Sequence, residues 1–133
     1  MTTPPLVAFP DVEAALTGYL RQRLDTGVFV GTEWPENLAE HLPVVAVSRG
    51  GGGTYTRFVL DAPTLDIDVL AADKATAHDL VQQVRGLIFA AEGQALGDVL
   101  VARVEDTSLI WLPDPTTGLP RYVLVMSLRV RPA

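Results

Sequence analysis

The stretch DAPTLDIDVLAADKATAHDLVQQVRGLIFAA, residues 61–91, decides the fold because the spacing of its apolar residues changes once, from every second residue to helical spacing. In its first part, aliphatic residues alternate with carboxylates: Leu65, Asp66, Ile67, Asp68 and Val69. Successive side chains of a strand point to opposite faces, so the aliphatic residues share one face and both carboxylates share the other. The first part is therefore predicted to be a half-buried strand with one polar face.

The second part of the stretch has the apolar spacing of a helix that covers a sheet. Its apolar residues recur at helical intervals: Ala77, Leu80, Val81, Val84, Leu87 and Ile88. Asp73 is a suitable N-cap, because its side chain can accept a hydrogen bond from a free backbone N–H of the first turn. Gly93 is a suitable end, since glycine tolerates the left-handed conformation that closes many helices. The opposite side is polar and is predicted to face solvent or a partner: Lys74, His78, Asp79, Gln82 and Arg85.

The composition limits the class of protein. A chain of 133 residues with 48% hydrophobic and 20% charged residues is typical of one globular domain, and we expect residues 1–133 to form it. The absence of cysteine excludes disulfides, thiolate metal sites and cysteine nucleophiles. A formal charge of −6 argues against nucleic-acid binding, because such binding draws on clustered Lys and Arg. Stability is therefore expected to come from packing, including packing between subunits.

The sequence gives no sign of a membrane segment. Its apolar runs are too short to span a bilayer. The N-terminus, MTTPPLVAFPDVEAA, lacks the basic start and the long apolar segment of a secretory signal. We therefore expect no membrane contact and a protein that is made and kept in a cytoplasm.

The chain before the central stretch is predicted to form one helix and two strands. Asp11 is a suitable N-cap and Gly27 a suitable end for a helix with this apolar stripe: Val12, Ala15, Leu16, Tyr19, Leu20 and Leu24. Residues 28–32 predict a short strand, and residues 33–41 predict a loop or a single helical turn. Residues 42–49, LPVVAVSR, are nearly continuous in aliphatic residues, which predicts a strand covered on both faces.

The chain after the central stretch is predicted to add three strands. Residues 95–98 predict a loop, and residues 99–105 and 107–113 predict two strands that form a hairpin with a turn at Asp106. PDPTTGLP, residues 113–120, predicts a rigid polar connection. The last strand presents one long apolar face and is predicted to be central: Tyr122, Leu124, Met126, Leu128 and Val130.

The predicted order of elements is therefore α-β-β-β-α-β-β-β, with short connections between most neighbouring strands. Short connections join antiparallel strands, whereas parallel strands need a long crossover. The predicted fold class is α+β, a mostly antiparallel β-sheet with two helices packed on one face.

Residues 50–53 form a run of four glycines. A phosphate-binding loop needs glycines that lead into a helix N-terminus, usually with a lysine just after them. Here the run lies between two predicted strands, and no lysine follows it. We interpret it as a flexible hairpin loop, or as a loop that becomes ordered against a neighbouring subunit.

The carboxylates and histidines do not assemble a recognisable reaction centre in the sequence. Asp66 and Asp68 share a strand face, but nothing identifies the further oxygen ligands that Mg²⁺ or Ca²⁺ would require. Ser48 lies in VSRG and not in the G-x-S-x-G of a nucleophile elbow. His41 and His78 are interpreted as solvated residues. We therefore assign no catalytic, cofactor-binding or metal-ligating residue and expect no cofactor.

Three arginines make the main basic concentration, on the polar face of the last strand: Arg121, Arg129 and Arg131. In an acidic protein, such arginines usually pair with carboxylates, here with Asp66 or Asp68 across the sheet or with a neighbouring subunit. The alternative is a local contact with phosphate.

Three segments carry a resemblance to a known family: LPVVAVSRGGGG (42–53), DAPTLDIDVLAADKATAHDLVQQVRGLI (61–88) and PDPTTGLPRYVLVMSLRVR (113–131). Together with PDVEAALTGYL (10–20), they resemble the tail terminator proteins of long-tailed, siphovirus-type phages that infect actinobacteria. The resemblance covers most of the chain.

The resemblance implies a structural virion protein and not an enzyme. Such a protein forms a homohexameric ring that caps the tail tube, terminates tube polymerisation and joins the tail to the head-completion proteins. Its partners would be copies of itself, the tail tube protein and a head-completion or stopper protein. It would lie at the tail–neck junction of the virion, and in the host cytoplasm during assembly. Six copies of −6 give −36, so DNA would pass through the ring without specific binding.

Two alternatives stay open at this point. One is a head–tail adaptor or stopper protein of the neck, and the other is a small metal-dependent enzyme that uses the strand aspartates. As the subunit or partner interface we select the glycine run with its flanking residues and charged residues of the strands and turns: Arg49, Gly50, Gly51, Gly52, Gly53, Thr54, Arg57, Asp66, Asp68, Asp114 and Arg121.

Overall fold

The first helix of the computed structural model, which describes residues 6, 8–57 and 59–133, begins where the sequence predicts. Helix α1 spans Val12–Arg23, and the Asp11 carboxylate accepts a hydrogen bond from the backbone N–H of Ala14 at 3.0 Å. The helix ends before Gly27, because Leu24 takes an extended conformation that turns its side chain into the core. The predicted apolar stripe is confirmed as the buried side of α1.

Helix α2 spans Lys74–Ala90. The predicted N-cap is confirmed, because the Asp73 carboxylate accepts a hydrogen bond from the backbone N–H of Thr76 at 2.8 Å. Gly93 follows the helix with a positive φ of 82°, in the left-handed region that glycine tolerates. The buried residues of α2 fall on the predicted stripe: Ala77, Leu80, Val81, Val84 and Ile88.

Eight strands accompany the two helices in the described part of the chain. Their bounds are β1 (Phe29–Gly31), β2 (Val44–Gly51), β3 (Thr54–Thr56), β4 (Leu60–Asp61), β5 (Thr64–Leu70), β6 (Ala95–Leu96), β7 (Val99–Trp111) and β8 (Arg121–Pro132). A 3-10 turn, Leu38–Glu40, lies between β1 and β2 and confirms the helical turn predicted there. The α+β class and the predicted order are confirmed, with three short additional strands: β3 and β4 after the glycine run, and β6 within residues 95–98, where the prediction of a loop is wrong.

The strands form one mixed sheet around β8. Along one path the order is β1-β2-β5-β8-β4-β3, and β7 pairs with β8 and with β6. β1 and β2 are parallel, and every other pair among the described strands is antiparallel. β8 pairs with β5 and β4 along one edge and with β7 along the other. The predicted central position of the last strand is therefore confirmed.

The prediction of two strands separated by a turn at Asp106 is wrong. β7 continues from Val99 to Trp111, and its register with β8 shifts between Asp106 and Ser108. Such a β-bulge inserts one extra residue, which breaks the alternation of apolar and polar residues without ending the strand. The long hairpin is instead formed by β7 and β8, with residues 113–120 as its connection.

Both helices cover the same face of the sheet. The sheet residues beneath them are fully or nearly fully buried: Val45, Val47, Leu65, Ile67, Val69, Leu124, Met126, Leu128 and Val130. Burying one such aliphatic side chain stabilises a fold by about 1.5–3 kcal/mol. Within β2, Val44 and Ala46 are buried on the opposite face as well, which confirms the predicted burial of both faces for the first half of this strand; for Ser48 and Arg49, which are exposed, that prediction is wrong.

The face opposite the helices is called here the helix-free face. Along β5 and β8 it carries half-buried side chains: Asp66, Asp68, Val123, Val125 and Ser127. The aspartates thus lie together on the side that the alternation predicts. No helix in the described part of the chain is long and apolar enough to cross a membrane.

Candidate functional site

The glycine run is held by an ion pair at one end of the helix-free face. Both terminal nitrogens of Arg49 donate to the carboxylate of Asp61, at 2.6 and 2.8 Å, and Asp61 is only 5% exposed. The same guanidinium donates to the backbone carbonyls of Gly51 and Gly52 at 3.0 and 2.8 Å. The hydrogen bond with Asp61 raises the pKa of Arg49. The turn between β2 and β3 is therefore shaped by contacts within the chain.

Two of the four glycines are required by their surroundings. A Cβ at Gly50 would overlap the carboxylate of Asp66, and a Cβ at Gly52 would overlap the backbone carbonyl of Ala62. Gly52 also has a positive φ of 87°. Gly51 and Gly53 have open space where a Cβ would lie. The run thus lets the turn pack against β5 and against residue 62.

A second polar cluster occupies the other end of the helix-free face. The indole Nε1 of Trp34 donates to the carboxylate of Asp68 at 3.0 Å. The guanidinium of Arg121 lies 5.7 Å from the centroid of the Trp34 ring, and its Nε donates to the backbone carbonyl of Leu112 at 2.8 Å. Burial raises the pKa of Asp68, although the bond from Trp34 and the charge of Arg121 oppose that change. Trp34 therefore shields a carboxylate that the sequence places on a polar face.

Asp114 organises the connection between β7 and β8. It is 5% exposed, and its carboxylate accepts hydrogen bonds from the hydroxyl and the backbone N–H of Thr117. These bonds lower the pKa of Asp114, the hydroxyl bond most of all. Gly118 follows with a positive φ of 73°. Asp114 thus determines the shape of a surface turn, and its carboxylate is already engaged there.

The structure divides the selected interface residues into two groups. Arg49, the glycine run, Thr54 and Asp66 lie at the β2–β3 end, and Arg57 follows β3. Asp68, Asp114 and Arg121 belong to the other end, where Arg121 influences the pKa of both carboxylates.

Sequence reasoning missed two residues that complete these groups, Trp34 and Asp61. Trp34 offered one signal, an aromatic residue in a polar segment. Asp61 offered none for its pairing, because its partner Arg49 lies 12 positions earlier in the chain.

The described residues hold no cluster of three His, Asp or Glu side chains arranged to bind a metal ion. A groove of about 510 Å³ lies between α1 and the β6–β7 hairpin. Two of its charged side chains have structural tasks, since Asp11 caps α1 and Arg23 stacks 3.9 Å above the ring of Tyr19. The pronounced polar features of the described residues are therefore surface clusters, and we treat them as contact surfaces.

Comparison with protein families identifies the chain. Residues 8–105, which include both helices and most of the sheet, match the model of a phage tail termination protein family. The chain belongs to the phage tail termination protein family. This confirms the resemblance to tail terminators, and the family is one of structural phage proteins. No curated protein sequence matches this tail termination protein.

A solved structure shares the fold. It is a chain from the virion of a native gene transfer agent particle, with a TM-score of 0.62 and 18% sequence identity. The similarity covers 90% of this tail termination protein and 94% of that chain. At this identity the similarity establishes the common fold.

Proposed function

We propose that this tail termination protein forms a homohexameric ring that caps the phage tail tube, terminates its polymerisation and joins the tail to the head-completion proteins. The observation that carries the proposal is the match of residues 8–105 to the tail termination family. A capping protein needs contact surfaces and no reaction centre. The helix-free face, with its clusters around Arg49 and Trp34, supplies such surfaces on a rigid sheet.

In this proposal the ring contacts itself, the tail tube protein and a head-completion or stopper protein. It lies at the tail–neck junction of the virion and in the host cytoplasm during assembly. DNA passes through the ring without specific binding, since six copies of −6 give −36. A ring with a strongly basic lumen would contradict this last part.

The proposed function is tested by electron microscopy of particles made without this protein. Overlong tails that are not attached to heads are the expected result, because nothing would stop tube polymerisation. Tails of normal length, detached from heads, would instead favour the alternative of a head–tail adaptor or stopper. Normal virions would contradict both functions.

The metal-dependent enzyme is a weaker second candidate, because Asp68 bonds to Trp34 and Asp66 packs against Gly50. Titration calorimetry with Mg²⁺, Mn²⁺ and Ca²⁺ tests it directly. Tight binding that is lost in both Asp66→Ala and Asp68→Ala would favour an enzyme.

A further inference from the structure

The segment that follows the outermost strand concentrates acidic residues. Three exposed glutamates follow the outermost strand β1 and are called here the acidic edge: Glu33, Glu36 and Glu40. No Lys or Arg occurs between Arg23 and Arg49, and Arg21, which reaches β1 from helix α1, donates to the backbone carbonyl of Val30 at 2.8 Å. Trp34, 37% exposed, lies among them and provides an aromatic surface.

The strands β7 and β8 carry arginines that the fold leaves next to one another. They lie on β7 and β8 and are called here the arginine edge: Arg103, Arg129 and Arg131. Arg103 and Arg129 are direct cross-strand partners in the β7–β8 register. Like charges placed directly opposite one another in a sheet are destabilising, so this arrangement has a cost within the subunit.

The local partners of the arginine edge do not remove that cost. Arg103 pairs with Glu105 at 2.6 Å, but the two side chains are 59% and 50% exposed, and exposed pairs contribute little. Arg129 stacks 3.9 Å above the ring of Tyr55, which is itself 55% exposed. The edge therefore combines a concentration of positive charge with an exposed aromatic ring, as interface hot spots do.

The acidic edge follows β1, at the start of the strand order β1-β2-β5-β8-β7, and the arginine edge lies on the last two strands of that order, so the two are different surfaces of the subunit. A contact between two different surfaces of identical subunits propagates from copy to copy and produces a ring when the rotation closes. We propose that the acidic edge of one copy binds the arginine edge of the next. The proposal rests on the ring of the proposed function and assigns the surfaces that hold it together.

Charge reversal tests the pairing. The first variant makes both edges basic and carries Glu33→Arg, Glu36→Arg and Glu40→Arg. The second variant makes both edges acidic and carries Arg103→Glu, Arg129→Glu and Arg131→Glu. We expect size-exclusion chromatography with light scattering to find rings of the wild type and a loss of ring mass in each variant alone. An equimolar mixture should recover rings in which the variants alternate, because each acidic surface then meets a basic one.

Two controls separate edge pairing from loss of the fold and from net charge. Circular dichroism should give the wild-type spectrum for both variants. Asp79→Arg changes the charge in the same direction on the helix side, where Asp79 is 88% exposed, and should form rings as the wild type does.

Several results would overturn the proposal: rings in either reversed variant alone, a mixture that stays monomeric, or a wild type that stays monomeric at its highest soluble concentration. Tight DNA binding by the wild type that the second variant loses would assign the arginine edge to phosphate instead. The proposed tail function is judged separately by tail length in particles. A correct tail phenotype with unaffected reversed variants would therefore reject only the edge pairing.

Discussion

The guanidinium of Arg49 binds both carboxylate oxygens of Asp61, at 2.6 and 2.8 Å, across the turn that joins β2 to β3. The carboxylate side chain is 7% exposed, whereas the arginine side chain is 32% exposed. The pair thus buries the carboxylate of Asp61 and neutralises it with a guanidinium that lies partly at the surface. It also connects the glycine run to β4, because Arg49 donates to two carbonyls of that run.

Arg49→Ala is expected to lower the free energy of unfolding by about 1–3 kcal/mol, because it leaves the buried Asp61 carboxylate without its partner. Urea denaturation of the variant and the wild type measures the difference. Asp79→Ala is the control, since the Asp79 side chain is 88% exposed and its loss should change the free energy by less than about 0.5 kcal/mol. Equal unfolding midpoints for the two variants would contradict the stabilising role of the pair.

Alanine substitutions along the glycine run should differ in how much they lower the free energy of unfolding, depending on the position. Gly52→Ala is expected to destabilise the fold by about 1–3 kcal/mol, because its φ is positive and a Cβ would overlap the Ala62 carbonyl. Gly51→Ala has open space for its Cβ and is the matched control, with an effect below about 0.5 kcal/mol. Urea denaturation ranks the variants, and a similar loss in both would show that flexibility matters more than the close contact.

The parts of the fold that the sequence predicts well are those governed by neighbouring residues. The strand β5 and helix α2 follow from the spacing within residues 61–91, where one face of each element is buried. The bulge near Asp106 escapes such reasoning, because one inserted residue reverses the alternation that marks a strand.

The site depends more on contacts between distant residues. Trp34 covers Asp68 from 34 positions away, so the alternation that exposes this aspartate says nothing about its shield. The glycine run is recognisable in the sequence, but the need for Gly50 arises from Asp66 on the paired strand. Residue type therefore indicates where a surface is unusual, and only the packing of the sheet indicates how its charges are satisfied.

Asp68 should make the stability of the protein fall as the pH rises. Burial raises the pKa of the Asp68 carboxyl, so the folded chain keeps this proton at pH values where the unfolded chain, with a pKa of about 3.9, has lost it. The folded state then binds more protons, and the contribution of Asp68 to the free energy of unfolding decreases through that window. Asp68→Asn removes the titration while its amide oxygen can still accept from Trp34. The wild type should therefore lose stability relative to Asp68→Asn as the pH rises above the unfolded pKa of about 3.9.

Comparison with Asp73→Asn should show the opposite dependence of stability on pH in the same experiment. The backbone N–H of Thr76 lowers the pKa of Asp73, so its contribution is present above the unfolded pKa and is lost as the pH falls through the folded one. The wild type should gain stability relative to Asp73→Asn as the pH rises. Thermal unfolding across the pH range checks both differences, and the same sign for both variants would contradict the assignment of burial to Asp68.

Salt should dissociate the proposed ring. If the acidic edge binds the arginine edge, the attraction acts between exposed charges and weakens as the Debye length shortens from about 10 Å at 0.1 M to about 3 Å at 1 M salt. We therefore expect the assembled fraction, measured by sedimentation velocity, to fall as NaCl increases, with the alternating mixture of reversed variants as sensitive as the wild type. A ring held by apolar contacts would behave in the opposite way with sulfate, which strengthens effective burial of apolar surface. Rings that resist NaCl and are promoted by sulfate would place the contact on apolar residues such as Ile110 and Leu112, which are 49% and 48% exposed.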